Sequence, residues 1–276
     1  MVKEFQHRNV LVKGVSIGGI ESSYILPHFK VAFDFGRCPD DLIDVPTIFL
    51  THGHLDHSAG IAYYFSQRSL KNLPEGKVYV PAAIKKPIRK ILKLWHKIEQ
   101  FEYKIQVEGI NHHQKVEIRK NVFIKALPAF HRIPAQGYVL LEKKRKLKKE
   151  YIALSGRKIE KLKKQGEDIF EEREIPLFCY SGDTDIRFLE NNKEAQQAKV
   201  LLLECTYIDD KRPPERAHKW GHIHLYDILD RLDLFQNEKI VLIHFSKRYK
   251  ANYINKILSE KLPAKYSSRF ISWPQL

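Results

Sequence analysis

Three histidines and one aspartate fall within six residues, His52-Gly53-His54-Leu55-Asp56-His57, directly after the apolar run 47–50. No other feature constrains the chain as strongly. A backbone leaving a strand can turn tightly here, with Gly53 easing the bend. His52 and His54, two apart, then point one way, while Asp56 and His57 turn toward a second point. Neutral imidazole and carboxylate are the ligand set for Zn²⁺, with Mn²⁺ or Fe²⁺ as alternatives. One cation with an open position needs fewer donors than this, so two Zn²⁺ per chain are expected. The chain holds 13 histidines, but chance does not readily pack so many donors at one strand end.

Two cations need further donors, and three candidates each follow an apolar strand. Residues 123–130 end at His131, 176–180 lead through Ser181-Gly182 to Asp183, and 239–243 end at His244. Strand ends converge on one edge of a sheet, where sites in such folds usually lie. A single His after a strand is more often structural. Together these residues complete two coordination spheres, and a carboxylate such as Asp183 can bridge two cations.

The rest of the chain fits an α/β fold. β-Branched and aromatic runs at 30–36, 47–50, 77–80, 116–118, 122–126, 138–141, 176–180, 200–205 and 239–243 predict strands. Helical spacing appears at 58–70, 84–99, 225–234 and 252–262, and 119–121 reads as a hairpin turn. Hairpins alongside α/β alternation favour a layered core over a simple parallel sheet. A chain of 276 residues suits a single large domain. No apolar run reaches the ~18 residues that cross a membrane. The N-terminus lacks a hydrophobic signal core, and Cys38, Cys179 and Cys205 lie far apart. We therefore expect an intracellular, cytoplasmic protein with reduced cysteines.

The formal net charge is +15, which favours a polyanionic partner, nucleic acid first. The charge is concentrated. Residues 143–164 hold eleven Lys/Arg against two Glu. The surrounding segment 142–174 interrupts two strand signals and is poor in apolar residues. It reads as an inserted basic arm, a helical excursion or hairpin, because loops this long are uncommon without a function.

The His52–His57 cluster matches the HxHxDH signature of the metallo-β-lactamase fold. The rest resembles tRNase Z (ribonuclease Z) in its short, plant-like form. The resemblance is carried in order by Phe35-Gly36-Arg37-Cys38-Pro39, Val80-Pro81-Ala82, His131-Arg132-Ile133-Pro134 with Gln136-Gly137-Tyr138, Tyr151 to Gly156, Ser181-Gly182-Asp183-Thr184, Glu204-Cys205-Thr206-Tyr207, Gly221-His222 and His244-Phe245-Ser246-Lys247-Arg248-Tyr249. It implies an αββα sandwich with two metals at one edge. One metal takes His52, His54 and His131, the other Asp56, His57 and His244, with Asp183 bridging.

The resemblance also implies the activity, a metal-dependent endoribonuclease that removes the 3′ trailer of precursor tRNA and leaves a 3′-hydroxyl. Asp56, Glu204 and His222 are the candidate catalytic residues, with Glu204 and His222 protonating the leaving oxygen. His218 and His224 are competing neighbours for that role. Ser246, Arg248 and Tyr249 are candidates for holding phosphate or the RNA end. Lys143, Lys144, Arg145, Lys146, Lys148 and Lys149 would grip the tRNA body through its phosphates, in the manner of the family's exosite, often in a homodimer. A small-molecule phosphodiesterase or other hydrolase on the same fold is the alternative. A non-catalytic RNA-binding member is a second, disfavoured because all seven expected ligands are present. His112-His113 matches no family ligand and reads as a solvated loop.

Overall fold

The computed structural model describes residues 2–273. Two seven-stranded sheets follow one another along the chain. The first holds β1 (Lys3–His7), β2 (Val10–Ile17), β3 (Glu21–Leu26), β4 (Val31–Phe33), β5 (Thr47–Phe49), β6 (Gly76–Pro81) and β7 (Ile105–Ile110) in sequence order. The second holds β8 (Lys115–Arg119), β9 (Val122–Pro128), β10 (Gln136–Leu147), β11 (Phe170–Tyr180), β12 (Val200–Glu204), β13 (Lys239–Ile243) and β14 (Phe270–Ser272). Each begins as an antiparallel meander and ends in parallel strands.

The central parallel strands β4, β5, β12 and β13 are nearly all apolar because both of their faces are covered. In β12, Val200 and Leu202 face the layer between the sheets, while Leu201 and Leu203 face the helices beyond. In β13, Val241 and Ile243 divide from Ile240 and Leu242 in the same way. The inner layer joins both sheets and is strongly aromatic. Phe33 stacks on Phe178 at 5.5 Å between ring centroids and also meets Tyr138 and Tyr180. Helices close the outer faces. Ile61, Tyr64 and Phe65, with Ile88 and Leu92, cover the first sheet. Phe188, Ile228, Ile254 and Leu258 cover the second.

The expected sandwich is therefore present, with local differences. β1 to β3 are not evident in the sequence, because Lys13, Gly14, Ser22 and Ser23 break the apolar pattern, yet both serines are buried. The predicted helix 58–70 is divided into Leu55–Ser58 and Ile61–Leu70. At the break, a Cβ on Gly60 would come within 2.6 Å of the Cys38 backbone nitrogen.

Segment 142–174 holds a two-stranded ribbon and a helix. β10 and β11 run on together from Glu142↔Ile175 to Leu147↔Phe170. They carry a helix, Gly156–Lys164, at their far end. Charges on the ribbon largely answer one another. Lys143 pairs with Glu172 at 2.5 Å, Lys144 with Glu142 at 2.8 Å, and Arg145 and Lys148 with Asp168 at 3.8 and 3.4 Å. On the helix, Arg157, Lys158, Lys161 and Lys163 are exposed, and its one acid, Glu160, pairs with Lys164.

Phe33 lies where the sheets meet, and truncating it leaves a cavity that neighbouring rings cannot collapse into. Phe33→Ala should lower the unfolding free energy by about 3–5 kcal/mol, read as a lower urea midpoint at unchanged slope.

Candidate metal centre

The site lies where β5, β9, β11, β12 and β13 end. Its first support is Asp34, which follows β4 in the left-handed region at φ 58°. Asp34 is fully buried. It accepts the Thr51 backbone N–H at 2.7 Å, the Tyr180 hydroxyl at 2.6 Å and the Nδ1–H of His57 at 2.7 Å. Thr51 also donates its hydroxyl to Asp34 at 2.9 Å. That leaves the Thr51 oxygen to accept from His52 Nδ1 at 3.0 Å. One carboxylate thus sets the path of the chain into the His-rich turn and the tautomers of two histidines.

The second sheet's histidines are oriented by the same logic. His131 donates from Nδ1 to the carbonyl of Gly221 at 2.8 Å. Gly221 sits at φ 70°, and a Cβ there would stand 3.0 Å from His131 Nδ1. Thr206 donates its hydroxyl to Glu204 at 2.7 Å and accepts from His244 Nδ1 at 3.0 Å. With Nδ1 committed, His52, His57, His131 and His244 all present Nε2. His54 presents Nδ1, which lies 3.1 Å from His52 Nε2 and 3.2 Å from His131 Nε2.

All seven expected donors converge. Among the described residues, His52, His54, His131 and Asp183 form one group with ligand atoms within 4.8 Å, and Asp56, His57 and His244 form another. Asp183 faces both, with Oδ2 3.7 Å from His52 Nε2 and Oδ1 3.3 and 3.4 Å from His57 and His244 Nε2. Asp56 Oδ2 lies 3.6 Å from His57 and 3.5 Å from His244, and accepts the Gly19 N–H at 3.1 Å.

The donor set fits metal cations. His57 Nε2 and Asp183 Oδ1 are buried without a hydrogen-bond partner, a costly state unless positive charge stands between such groups. Three imidazole lone pairs pointing at one another make the same demand at His52, His54 and His131. Burial holds His52 and His54 below the usual imidazole pKa, in the neutral form that ligates. Burial opposes a charged His57, but Asp183 and Asp34 outweigh it and raise its pKa well above the ordinary value. The two carboxylates therefore call for positive charge at this ring, which a cation would supply in place of the proton. Burial likewise opposes an ionised Asp183, and His244 and His57 outweigh it, holding the carboxyl well below its usual range.

Beside the cluster, His222 Nδ1 lies 2.8 Å from Glu204 Oε1. Glu204 is fully buried and also accepts the N–H groups of Thr184 at 3.0 Å and Thr206 at 3.2 Å. The two competing histidines are engaged elsewhere. His218 pairs with Asp227 at 2.9 Å, and buried His224 caps the helix Leu225–Leu229. Ser246 and Arg248 line the same hollow as His54, Asp56, His222 and His244. Tyr249 is turned differently, donating its hydroxyl to Asp209 at 3.0 Å. The basic ribbon residues Lys143 to Lys149 do not line this hollow.

Sequence reasoning missed Asp34, Thr206 and the Gly221 carbonyl as supports. Asp34 left one signal, a charge between Phe33 and Phe35 in an otherwise apolar run.

Residues 31–245 match the Beta-lactamase superfamily domain. Over 263 residues, 95% of this chain and 94% of the relative, the sequence is 38% identical to tRNase Z TRZ1 of Arabidopsis thaliana. It is 34% identical to the chloroplastic tRNase Z TRZ2 of the same plant, covering 94% of this chain and 74% of that protein. The fold resembles the crystal structure of the short form of human tRNase Z, with a TM-score of 0.56, 20% identity and 89% of each chain covered.

The hydrogen bonds of Asp34 make its carboxylate testable apart from the ligands. Asp34→Asn should weaken metal binding by about 10–100-fold, measured by competition with a chelating dye. Unaltered affinity would remove Asp34 from the account.

Proposed function

We infer that this chain, which belongs to the tRNase Z family of the β-lactamase superfamily, is a metal-dependent endoribonuclease that removes the 3′ trailer of precursor tRNA and leaves a 3′-hydroxyl on the tRNA. The observation that carries this reading is the near full-length similarity to tRNase Z TRZ1, together with the convergence of seven His and Asp donors on one edge. His52, His54 and His131 would hold one Zn²⁺, Asp56, His57 and His244 a second, and Asp183 would serve both. Bound there, Zn²⁺ supplies positive charge that clamps a phosphodiester and acidifies a water for attack on phosphorus.

The chain's own groups do the rest. Burial disfavours an ionised Asp56, but His244 and His57 outweigh it and lower its pKa, so the carboxylate can orient the attacking water. His222 is the proton donor to the departing 3′-oxygen. Burial opposes its charged form, yet the charge and hydrogen bond of Glu204 prevail and lift its pKa to about 9. At neutral pH the ring thus carries the proton that the leaving group needs. Glu204 is locked by Thr184 and Thr206 and so fixes the ring's direction. Ser246 and exposed Arg248 face the same hollow and bind phosphate oxygens. Tyr249, tied to Asp209, acts by holding the Arg248 loop in place.

The substrate's body is held through its phosphates by segment 142–174. Because the ribbon cations Lys143, Lys144, Arg145 and Lys148 are paired with acids, the main grip falls to Arg157, Lys158, Lys161 and Lys163 on the terminal helix. Exposed Lys146 and Lys149 add to it. In a homodimer this arm would serve the partner subunit's site. The three cysteines are free and buried, which suits an intracellular location. No described helix is long and apolar enough to cross a membrane.

His222→Ala should reduce kcat on precursor tRNA by about 10²–10⁴-fold with metal content unchanged. The wild-type rate should fall as pH rises past about 9, because the acid is then lost, and that limb should vanish in the variant. Wild-type turnover in His222→Ala would refute the assignment. Replacing Lys158, Lys161 and Lys163 by Ala should raise KM for precursor tRNA. It should also flatten the salt dependence, by about one unit of logarithmic slope for each phosphate no longer neutralised. The double variant Lys143→Ala/Lys144→Ala should change both less.

A further inference from the structure

A second hollow, of about 590 Å³, abuts the metal centre at His131 and is separate from the one that Arg248 lines. Its lining is mostly apolar, with Ala83, Ile133 and Pro134, and includes the polar side chains of Asn111, His112 and Gln136. The His112 ring is not merely solvated, since one ring nitrogen lies 3.2 Å from the Ala135 carbonyl. In a chain of net charge +15, no Lys, Arg, Asp or Glu lines this hollow. It therefore offers a phosphate no Lys or Arg side chain. It offers apolar walls and a few polar side chains, the usual make-up of a site for an uncharged heterocycle. The volume falls in the range of about 300–1,000 Å³ typical of such sites.

We propose that this hollow is a nucleobase subsite, which takes the base of a nucleotide flanking the scissile phosphate on the side away from Arg248. The proposal rests on the RNA-cleaving reading above. His131 both lines the hollow and belongs to the donor cluster, with Nε2 3.2 Å from His54 Nδ1, so a strand whose phosphate lies over the centre has its neighbouring nucleotide beside the hollow. Single-stranded RNA bases are free to splay out into such a site. The charged backbone then runs along the cationic Arg248 side while the base leaves water on the neutral side. Ala83 is exposed within the turn Ala82–Ile84, so a larger side chain there fills the hollow without entering the core.

The test compares two inhibitors of bis(4-nitrophenyl) phosphate hydrolysis by the zinc-loaded protein, adenosine 5′-monophosphate and ribose 5-phosphate. They share the sugar phosphate and differ only in the base. Wild type should bind the nucleotide about tenfold more tightly, for the apolar area that a base buries. Ala83→Phe should reduce that ratio to about one, and His112→Ala should reduce it in part. In precursor tRNA, an abasic residue at one of the two positions flanking the cut should raise KM for wild type and add nothing further in Ala83→Phe. A wild-type ratio near one, or a ratio unchanged in both variants, would overturn the subsite. If wild type hydrolyses the diester yet cuts no precursor tRNA, the tRNA reading fails, and the inhibitor ratio still decides the hollow.

Discussion

The metal edge depends on one buried carboxylate. Taking a charged carboxylate out of water costs several kcal/mol unless hydrogen bonds and counter-charge compensate. Asp34 meets that condition by drawing in groups from both sheets. Thr51 and His57 follow β5 in the first sheet, and Tyr180 ends β11 in the second. The interaction is thus a clamp across the inner layer as well as a support for His57. If it were absent, the turn holding His52 and His54 would lose its anchor at Thr51, and the sheets would lose a polar tie beside the aromatic core.

This clamp matters because neither sheet contains a complete site. His52, His54, Asp56 and His57 come from the first sheet's side, and His131, Asp183 and His244 from the second. Each group of donors draws on both. The electrostatic demand that fits the site for cations, seen in the unpartnered His57 and Asp183 atoms, therefore arises only after the sandwich has closed. Metal binding and sheet packing reinforce one another, as expected where a site does not preexist in the unfolded chain.

The sequence made the converging His and Asp donors legible because metal chemistry demands particular side chains at strand ends, and strand ends are marked by β-branched runs. Position 34 was harder to read. A lone Asp after Phe33 has no partner nearby in sequence, and its hydrogen bonds reach positions 51, 57 and 180. β1 to β3 were hidden for a related reason. Ser22 and Ser23 look solvated in sequence but are buried in the folded sheet. The basic segment shows the opposite error. Its lysines are evident as a cluster, but the acids that pair with Lys143, Arg145 and Lys148 lie some twenty residues later or more, and the return of the chain along β11 brings them back. A run of charge in sequence therefore overstates the field that a partner meets.

The pairing of Glu204 with both His222 and Thr206 has a consequence for catalysis. Oε1 holds the proton of His222, while Oε2 accepts from the Thr206 hydroxyl whose oxygen orients His244. On the proposed reading, the group that keeps the proton donor charged would also help fix the tautomer of a metal ligand. Such a carboxylate cannot be altered for one purpose alone. Removing it would lower the His222 pKa toward its ordinary value and at the same time free the His244 ring to present either nitrogen. With His222 as proton donor and His244 as ligand, as proposed, proton supply and metal geometry would be two effects of one buried carboxylate.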